Sequence, residues 1–338
     1  MTYLRHVFQN TQDRAAVKKL FYIRIPRKNG FFLFPGYIEQ QEEKNETQNC
    51  KPPESPVYLQ RRDIPRRHSF HNPSNRLSDG GPYYIEVTGL TADDLEGSYQ
   101  PSAASPLGEI LKRYPDKLVA LKLPANVEGL DSMRYCFSGC TSLVSVQAIP
   151  AGVNNMRCCF INCRSLKQAP AIPSGVNSMG SCFMNCSSLT QAPAIPSGVT
   201  NINSCFMGCS NLTQAPAIPS GVNNMRCCFM ACRSLTQAPA IPSGVRDMHA
   251  CFSDCSSLEQ GPEIPASVTN IGYCFRGCTV LTEVTLRCDY VDEEFNYAFD
   301  DCTALEDGGI KVPSGQLTTY TLHAADMGTT ANKFAAIP

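Results

Sequence analysis

Nineteen cysteines in 338 residues are the densest source of chemistry in the chain, and 18 of them lie between positions 136 and 302. Most fall into two columns. The first is Cys136, Cys159, Cys182, Cys205, Cys228, Cys251 and Cys274; the second is Cys140, Cys163, Cys186, Cys209, Cys232, Cys255, Cys278 and Cys302. Cys158 and Cys227 occupy equivalent places in two Arg-Cys-Cys copies, and Cys50 and Cys288 stand outside the pattern. Three chemistries suit such thiols. As small hydrophobes they can line a narrow core in the reduced state. Paired within a coil, or between coils about 5 Å apart, they approach the Cα separation a disulfide needs, and export would favour that state. Metal or cluster binding is the third, but zinc sites use CxxC pairs or Cys/His sets converging on one point, not CxxxC repeated in parallel columns. Buried free thiols are the preferred reading, and no cofactor or metal is expected.

The other reactive groups give no active site. His6, His68, His71, His249 and His323 pair with no recurring nucleophile. Asp292-Glu293-Glu294 and Asp300-Asp301 form an acidic patch that reads as a solvated face before it reads as a calcium site. A phosphate-binding glycine loop, a nucleophile elbow and a zinc-protease motif are all absent from the sequence. An enzyme is not expected.

The cysteine columns follow from a repeat. The Cys-Phe pair recurs at 136, 159, 182, 205, 228, 251 and 274, six successive steps of 23, and a degenerate copy begins at Ala298 after a step of 24. Such a period marks a solenoid. One unit places Cys182, Phe183, Cys186, Leu189, Ile195, Val199 and Ile202 at offsets that the next unit repeats. A unit this small cannot bury its own apolar face, so each position becomes an interior column only when neighbours stack. Leu189 to Ile195 is expected to be the pairing strand, shortened or broken where Pro193 lacks a donor. Pro196-Ser197-Gly198 suits a turn. The three-residue steps Val199, Ile202 and Cys205 suit an extended or 3₁₀-like back wall. Cys182, Cys186 and Leu189, at i, i+4 and i+7, suggest one helical turn leading into the strand.

Val268-Thr-Asn-Ile271-Gly-Tyr-Cys-Phe275-Arg-Gly-Cys278-Thr-Val-Leu281-Thr-Glu-Val284-Thr-Leu286 resembles the repeat of the BspA-like bacterial leucine-rich repeat family. The resemblance covers roughly residues 118 to 310. Two features depart from the family rhythm: cysteine takes the small position before Phe in seven copies, and most strand segments read Ala-Pro-Ala-Ile-Pro. The expected fold is a leucine-rich-repeat-like solenoid of 23-residue coils. Short parallel strands line one side, turns, 3₁₀ or extended segments line the other, and both ends are capped. The resemblance implies a curved solenoid and a binding role, often at the cell surface, but no particular ligand. The expected partner is a protein, of host or extracellular origin.

Residues 1–80 differ from the rest, with 14 Lys/Arg against 8 Asp/Glu in a chain of net charge −1. Arg24 to Phe34 could form a hairpin around Asn29-Gly30. Gln40 to Asp79 is polar and proline-punctuated, and residues 1–80 are read as a basic, largely disordered arm. Nucleic acid is not an expected partner, because no ordered motif supports it. The start offers no clear export signal, and no run approaches the roughly 20 apolar residues of a membrane span. A start at Met1 implies a cytoplasmic protein, whereas the family resemblance implies secretion or the cell surface. Residues 83–124 are expected to cap the first coil, with a strand at Tyr83 to Thr88 and a helix begun by Ser105-Pro106. The solenoid proper is assigned to 125–310, and 311–338 to a closing helix around Leu317, Tyr320 and Ala324 with a tail.

Positions that do not build the core carry function in such a fold. Gln168, Gln191, Gln214 and Gln237, continued by Gln260, form a polar column beside the strand. Met184, Met207 and Met230, preceded by Ile161, form a second column that is either an exposed apolar stripe suited to a protein partner or packed under the turn. Arg157, Arg226 and Arg246 vary along the back wall, and arginine is enriched at interface hot spots. The alternative function is an intracellular interaction scaffold; a metal-binding or redox cysteine protein comes third.

Overall fold

The computed structural model describes residues 21–27, 30–36, 82–99 and 103–337. Phe21–Pro35 and Pro82–Pro338 belong to one compact unit. Strands β1 (Phe21–Arg27), β2 (Gly30–Gly36), β3 (Tyr83–Thr88), β4 (Val119–Lys122) and β5 (Leu143–Val146) form a sheet in the order β2-β1-β3-β4-β5. β1 runs antiparallel to β3, pairing Tyr22 with Thr88, and β3 runs parallel to β4. Part of the arm thus adds strands to the sheet. Residues 28–29, the remainder of the expected disordered segment, Cys50, His6, His68 and His71 lie outside the described residues.

At the far end β6 (Gln260–Ile264), β7 (Glu283–Leu286), β8 (Ile310–Val312) and β9 (Phe334–Ala336) form a second, parallel sheet. Between the two sheets the ladder thins to single bridges: Ser145 with Gln168, then Gln191, Gln214, Gln237 and Gln260 in series. The expected strand Leu189 to Ile195 is therefore one rung, not a strand. Proline supplies no N–H two residues after Gln168, Gln191, Gln214 and Gln237, and pairing stops there; at Pro262 the register shifts and pairing resumes at Glu263, which makes β6 a strand. Strands of several residues survive in Val-Ala-Leu-Lys, Leu-Val-Ser-Val, Glu-Val-Thr-Leu and Ile-Lys-Val, where β-branched or aliphatic residues replace Ala-Pro-Ala.

The Cys-Phe segment is not the helical turn its spacing suggests. It is a chain of tight turns: Cys182 N–H donates to Met179 O at 3.0 Å, Cys186 N–H to Phe183 O at 3.1 Å, and Leu189 N–H to Cys186 O at 3.0 Å. Two residues per coil have positive φ. One precedes the first cysteine, as at Ser181 (54°) and Tyr273 (57°); the other follows three residues after it, as at Asn185 (60°) and Asp254 (60°). The second site explains the Asn, Asp and Gly found there, since these tolerate the left-handed region. Gly208 (φ 72°) needs no Cβ at all, because one would collide with the Asn185 side-chain oxygen of the preceding coil.

Coils are locked to one another by this same segment. Phe183 N–H donates to Cys205 O at 2.8 Å and Asn185 N–H to Met207 O, a pattern repeated along the stack. Inside, Phe137, Phe160, Phe183, Phe206, Phe229, Phe252, Phe275 and Phe299 form a continuous column with ring centroids 5.3 to 5.8 Å apart. Both cysteine columns, the leucines and the Val and Met/Ile positions complete the buried interior.

Each end is covered. Helix α1 (Pro106–Lys112) starts at Ser105, whose Oγ accepts from Gly108 N–H at 3.1 Å and donates to Cys136 O at 2.9 Å. At the other end lies α2 (Leu317–Leu322), where buried Tyr320 donates from Oη to Cys288 O at 3.0 Å. The final segment is more than a tail: β9 adds a rung parallel to β8.

Candidate functional site

The second cysteine column explains why cysteine is used there. Cys163 Sγ donates to Phe137 O at 3.0 Å, Cys186 to Phe160 O at 3.1 Å, Cys209 to Phe183 O at 3.1 Å, and Cys232 to Phe206 O at 3.2 Å. Cys255, Cys278 and Cys302 continue the series. At the start Cys140 instead donates to Gly108 O of α1 at 3.4 Å, so the helix stands in for a missing coil. A thiol that donates is protonated and reduced, and the cysteines of the described residues are free. Burial raises their pKa values: Cys205 is pushed up to about 12, and Cys182, Cys228 and Cys251 lie well above the ordinary thiol range. Such thiols are poor nucleophiles at neutral pH. Among the described residues no three His, Cys, Asp or Glu side chains are grouped to hold a metal ion.

The outward positions are the ones a partner can reach. Gln168, Gln191, Gln214 and Gln237 are all exposed, and their side chains make no hydrogen bond among the described residues. The backbone bridges Gln191–Gln214–Gln237–Gln260 hold four of the column in register. A shallow open depression of about 420 Å³ lies between the coils that begin at Cys159 and Cys182, lined by Lys167, Gln168, Thr190, Gln191 and Pro193. Met184, Met207 and Met230 are half-buried, so they offer only part of each side chain to a partner.

The turn edge is a second ladder. Asn155 Oδ1 accepts from Arg157 N–H at 3.0 Å and Asn224 Oδ1 from Arg226 N–H at 3.0 Å; Asn201 and Asp247 do the same for Asn203 and His249. These local bonds aim the following residue outward. Arg157 and Arg226 are exposed at equivalent points, while Arg246 is exposed three positions earlier in its coil. His249 and Tyr273 are variable positions on this edge, and the structure adds Tyr297, which sequence reasoning missed, to the same ring stack. His249 and Tyr273 have centroids 5.5 Å apart, and Tyr273 and Tyr297 5.1 Å. Tyr297 stands one place before Ala298 as Tyr273 does before Cys274, whereas His249 stands two places before Cys251. Burial and Arg226 lower the His249 pKa. In the acidic patch, Asp300 pairs with Arg276 at 3.2 Å, and Glu294 accepts from Asn270.

A family model described as BspA type leucine rich repeat region matches in six copies over residues 114–236 and 225–324. The chain also aligns with solved structures. A leucine-rich repeat protein from Bacteroides ovatus aligns at 22% identity and TM-score 0.44, covering 57% of this chain and 55% of that one. A leucine-rich repeat protein of T. pallidum aligns at 22% identity and TM-score 0.38, covering 66% of this chain and 84% of that one. The chain thus spans about half the length of the first and most of the second. No curated protein matches it. Among the described residues no helix is long and apolar enough to cross a membrane.

Proposed function

The chain belongs to the BspA-type leucine-rich repeat family, and on that premise we propose that it is a non-enzymatic binding module for a protein partner, with an adhesin-like role. The supporting observation is the glutamine column: exposed amides with no side-chain hydrogen bond among the described residues, held in register from Gln191 to Gln260 by backbone bridges. A rigid array of this kind loses little order on binding, which leaves more of the contact energy as affinity. Repetition lets one partner engage several coils at once, adding avidity without new chemistry. Half-buried methionines and the outward Arg157, Arg226 and Arg246 extend the contact surface beyond the column.

Site-specific photo-crosslinking in source cells tests this. A photoreactive side chain at Gln214 is expected to trap a discrete protein, and one at Asn177, on the turn edge, is expected to trap far less. Equal trapping at both positions, or none at Gln214, contradicts the reading. Protease treatment of intact cells tests the adhesin-like role: loss of the repeat domain places it outside, and full protection until lysis favours an intracellular scaffold.

A further inference from the structure

Positions 132 to 246 contain no Asp or Glu, yet seven Lys and Arg are spread through them. One of the seven, Arg134 at the edge of the stretch, pairs at 3.2 Å with Glu96, which lies outside it. The other six, Arg157, Arg164, Lys167, Arg226, Arg233 and Arg246, are exposed and have no ion-pair partner among the described residues. The contrast with the next segment is sharp. Positions 247 to 338 hold fourteen carboxylates and four cations, and all four cations are paired: Arg276 with Asp300, Arg287 with Glu263, Lys311 with Glu283, and Lys333 with Asp307. The central coils leave their cations unpaired, whereas every cation of residues 247–338 sits against a carboxylate.

The cations are also periodic. Asn-Asn-Met-Arg-Cys-Cys-Phe occurs at 154–160 and again at 223–229, and Cys-Arg-Ser-Leu at 163–166 and 232–235. Arg157 and Arg226, like Arg164 and Arg233, therefore stand on the same column three coils apart, roughly 15 Å at β-spacing. A folded acidic protein has no reason to match such a translation, whereas a linear polymer of repeating acidic units does. Single-stranded nucleic acid would need exposed rings for its bases, and the phenylalanines of these coils are all buried. What the surface does offer between the cations is neutral: exposed Asn177, Asn223, Thr190, Thr213 and the glutamines, groups that donate to and accept from hydroxyls. Guanidinium forks match carboxylate and sulfate geometry.

We propose that the acid-free coils bind a linear acidic polysaccharide, with its carboxylate or sulfate groups held by Arg157 and Arg226 and by Arg164 and Arg233. This site shares Arg157 and Arg226 with the margin of the protein-binding surface, but it rests on charge and period rather than on the glutamine column, and holds if that reading fails. Fluorescence anisotropy of the full chain with a labelled heparin oligosaccharide at low ionic strength tests it. Arg157→Gln/Arg164→Gln/Arg226→Gln/Arg233→Gln, checked for folding by circular dichroism, should weaken binding at least about tenfold, as loss of several charge-assisted contacts requires, and flatten its salt dependence. Arg276→Gln, at a cation already paired, should change it little. The proposal is overturned if heparin does not bind, or if the fourfold variant binds as the parent does, which would move the site to residues 1–80. It is equally overturned if polyglutamate or a single-stranded oligonucleotide binds more tightly through the same arginines. Sedimentation velocity covers the last rival: self-association abolished by the fourfold variant would assign the basic coils to a second copy of the chain.

Discussion

The Sγ of Cys209 lies 3.1 Å from the carbonyl oxygen of Phe183, a residue 26 positions earlier in the chain, and donates its proton across the coil boundary. The same oxygen accepts Cys186 N–H at 3.1 Å, so the thiol fills its second lone pair. Cysteine here is both a space-filling group and a cross-coil donor.

That dual role makes a prediction that a purely apolar role would reverse. Cys209→Ser keeps a donor, whereas Cys209→Val keeps volume and apolarity but cannot donate. Serine should cost less stability than valine, with the valine variant losing about 1–3 kcal/mol for the unmet carbonyl and the misfit. Chemical denaturation of the two variants checks this, and valine proving the milder change would show that the column is only packing.

Alkaline pH should unfold the molecule steeply. In the unfolded chain thiols ionise near about 8.5, whereas burial pushes Cys205 up to about 12 and holds Cys182, Cys228 and Cys251 well above the ordinary range. The folded state therefore retains protons that the unfolded state releases. Stability is fully present below about pH 8.5 and falls as pH rises through the interval toward 12, by about 1.4 kcal/mol per pH unit for each such thiol. Thermal melts across this range should be flat near neutrality and drop sharply above about pH 9. A flat profile throughout would mean the columns are oxidised, since disulfides do not titrate.

Deleting residues 1–80 removes β1 and β2 and leaves β3 as an edge strand. The repeats should still unfold cooperatively, because their contacts are between neighbours. The bared edge of Tyr83–Thr88 should promote concentration-dependent association. Size-exclusion chromatography over a dilution series checks this, and a strictly monomeric truncated chain would show that β3 needs no cover.

Much of this was legible because the repeat writes its core in fixed columns. Cys182, Cys186, Leu189, Val199 and Ile202 are all fully buried, as the offsets imply, and Ser105-Pro106 begins a helix where the capping signal lies. The Cys-Phe segment was misread because i, i+4, i+7 spacing is shared by a helix and by successive tight turns. Only backbone angles separate them, and Ser181 and Tyr273 adopt positive φ although their residue types do not announce it. Pro193 was read correctly as a break, but its effect is larger: pairing shrinks to Gln191 alone. Strand β9 carries little signal, since Phe334-Ala-Ala is too short for alternation and is ordered by β8 beside it. The candidate binding columns followed from period, whereas the pairing state of each arginine depends on which carboxylates neighbouring coils bring near, and spacing within one coil does not reveal that.

The most direct measurement is the affinity of the full chain for the protein trapped at Gln214, compared with that of Gln191→Lys/Gln214→Lys/Gln237→Lys. The three glutamines are exposed and build none of the core, so the variant should melt within about 2 °C of the parent. Its affinity should fall at least about tenfold, because three cations would meet a surface shaped for neutral amides. Unchanged affinity in a folded variant would contradict the claim that the glutamine column is the binding surface.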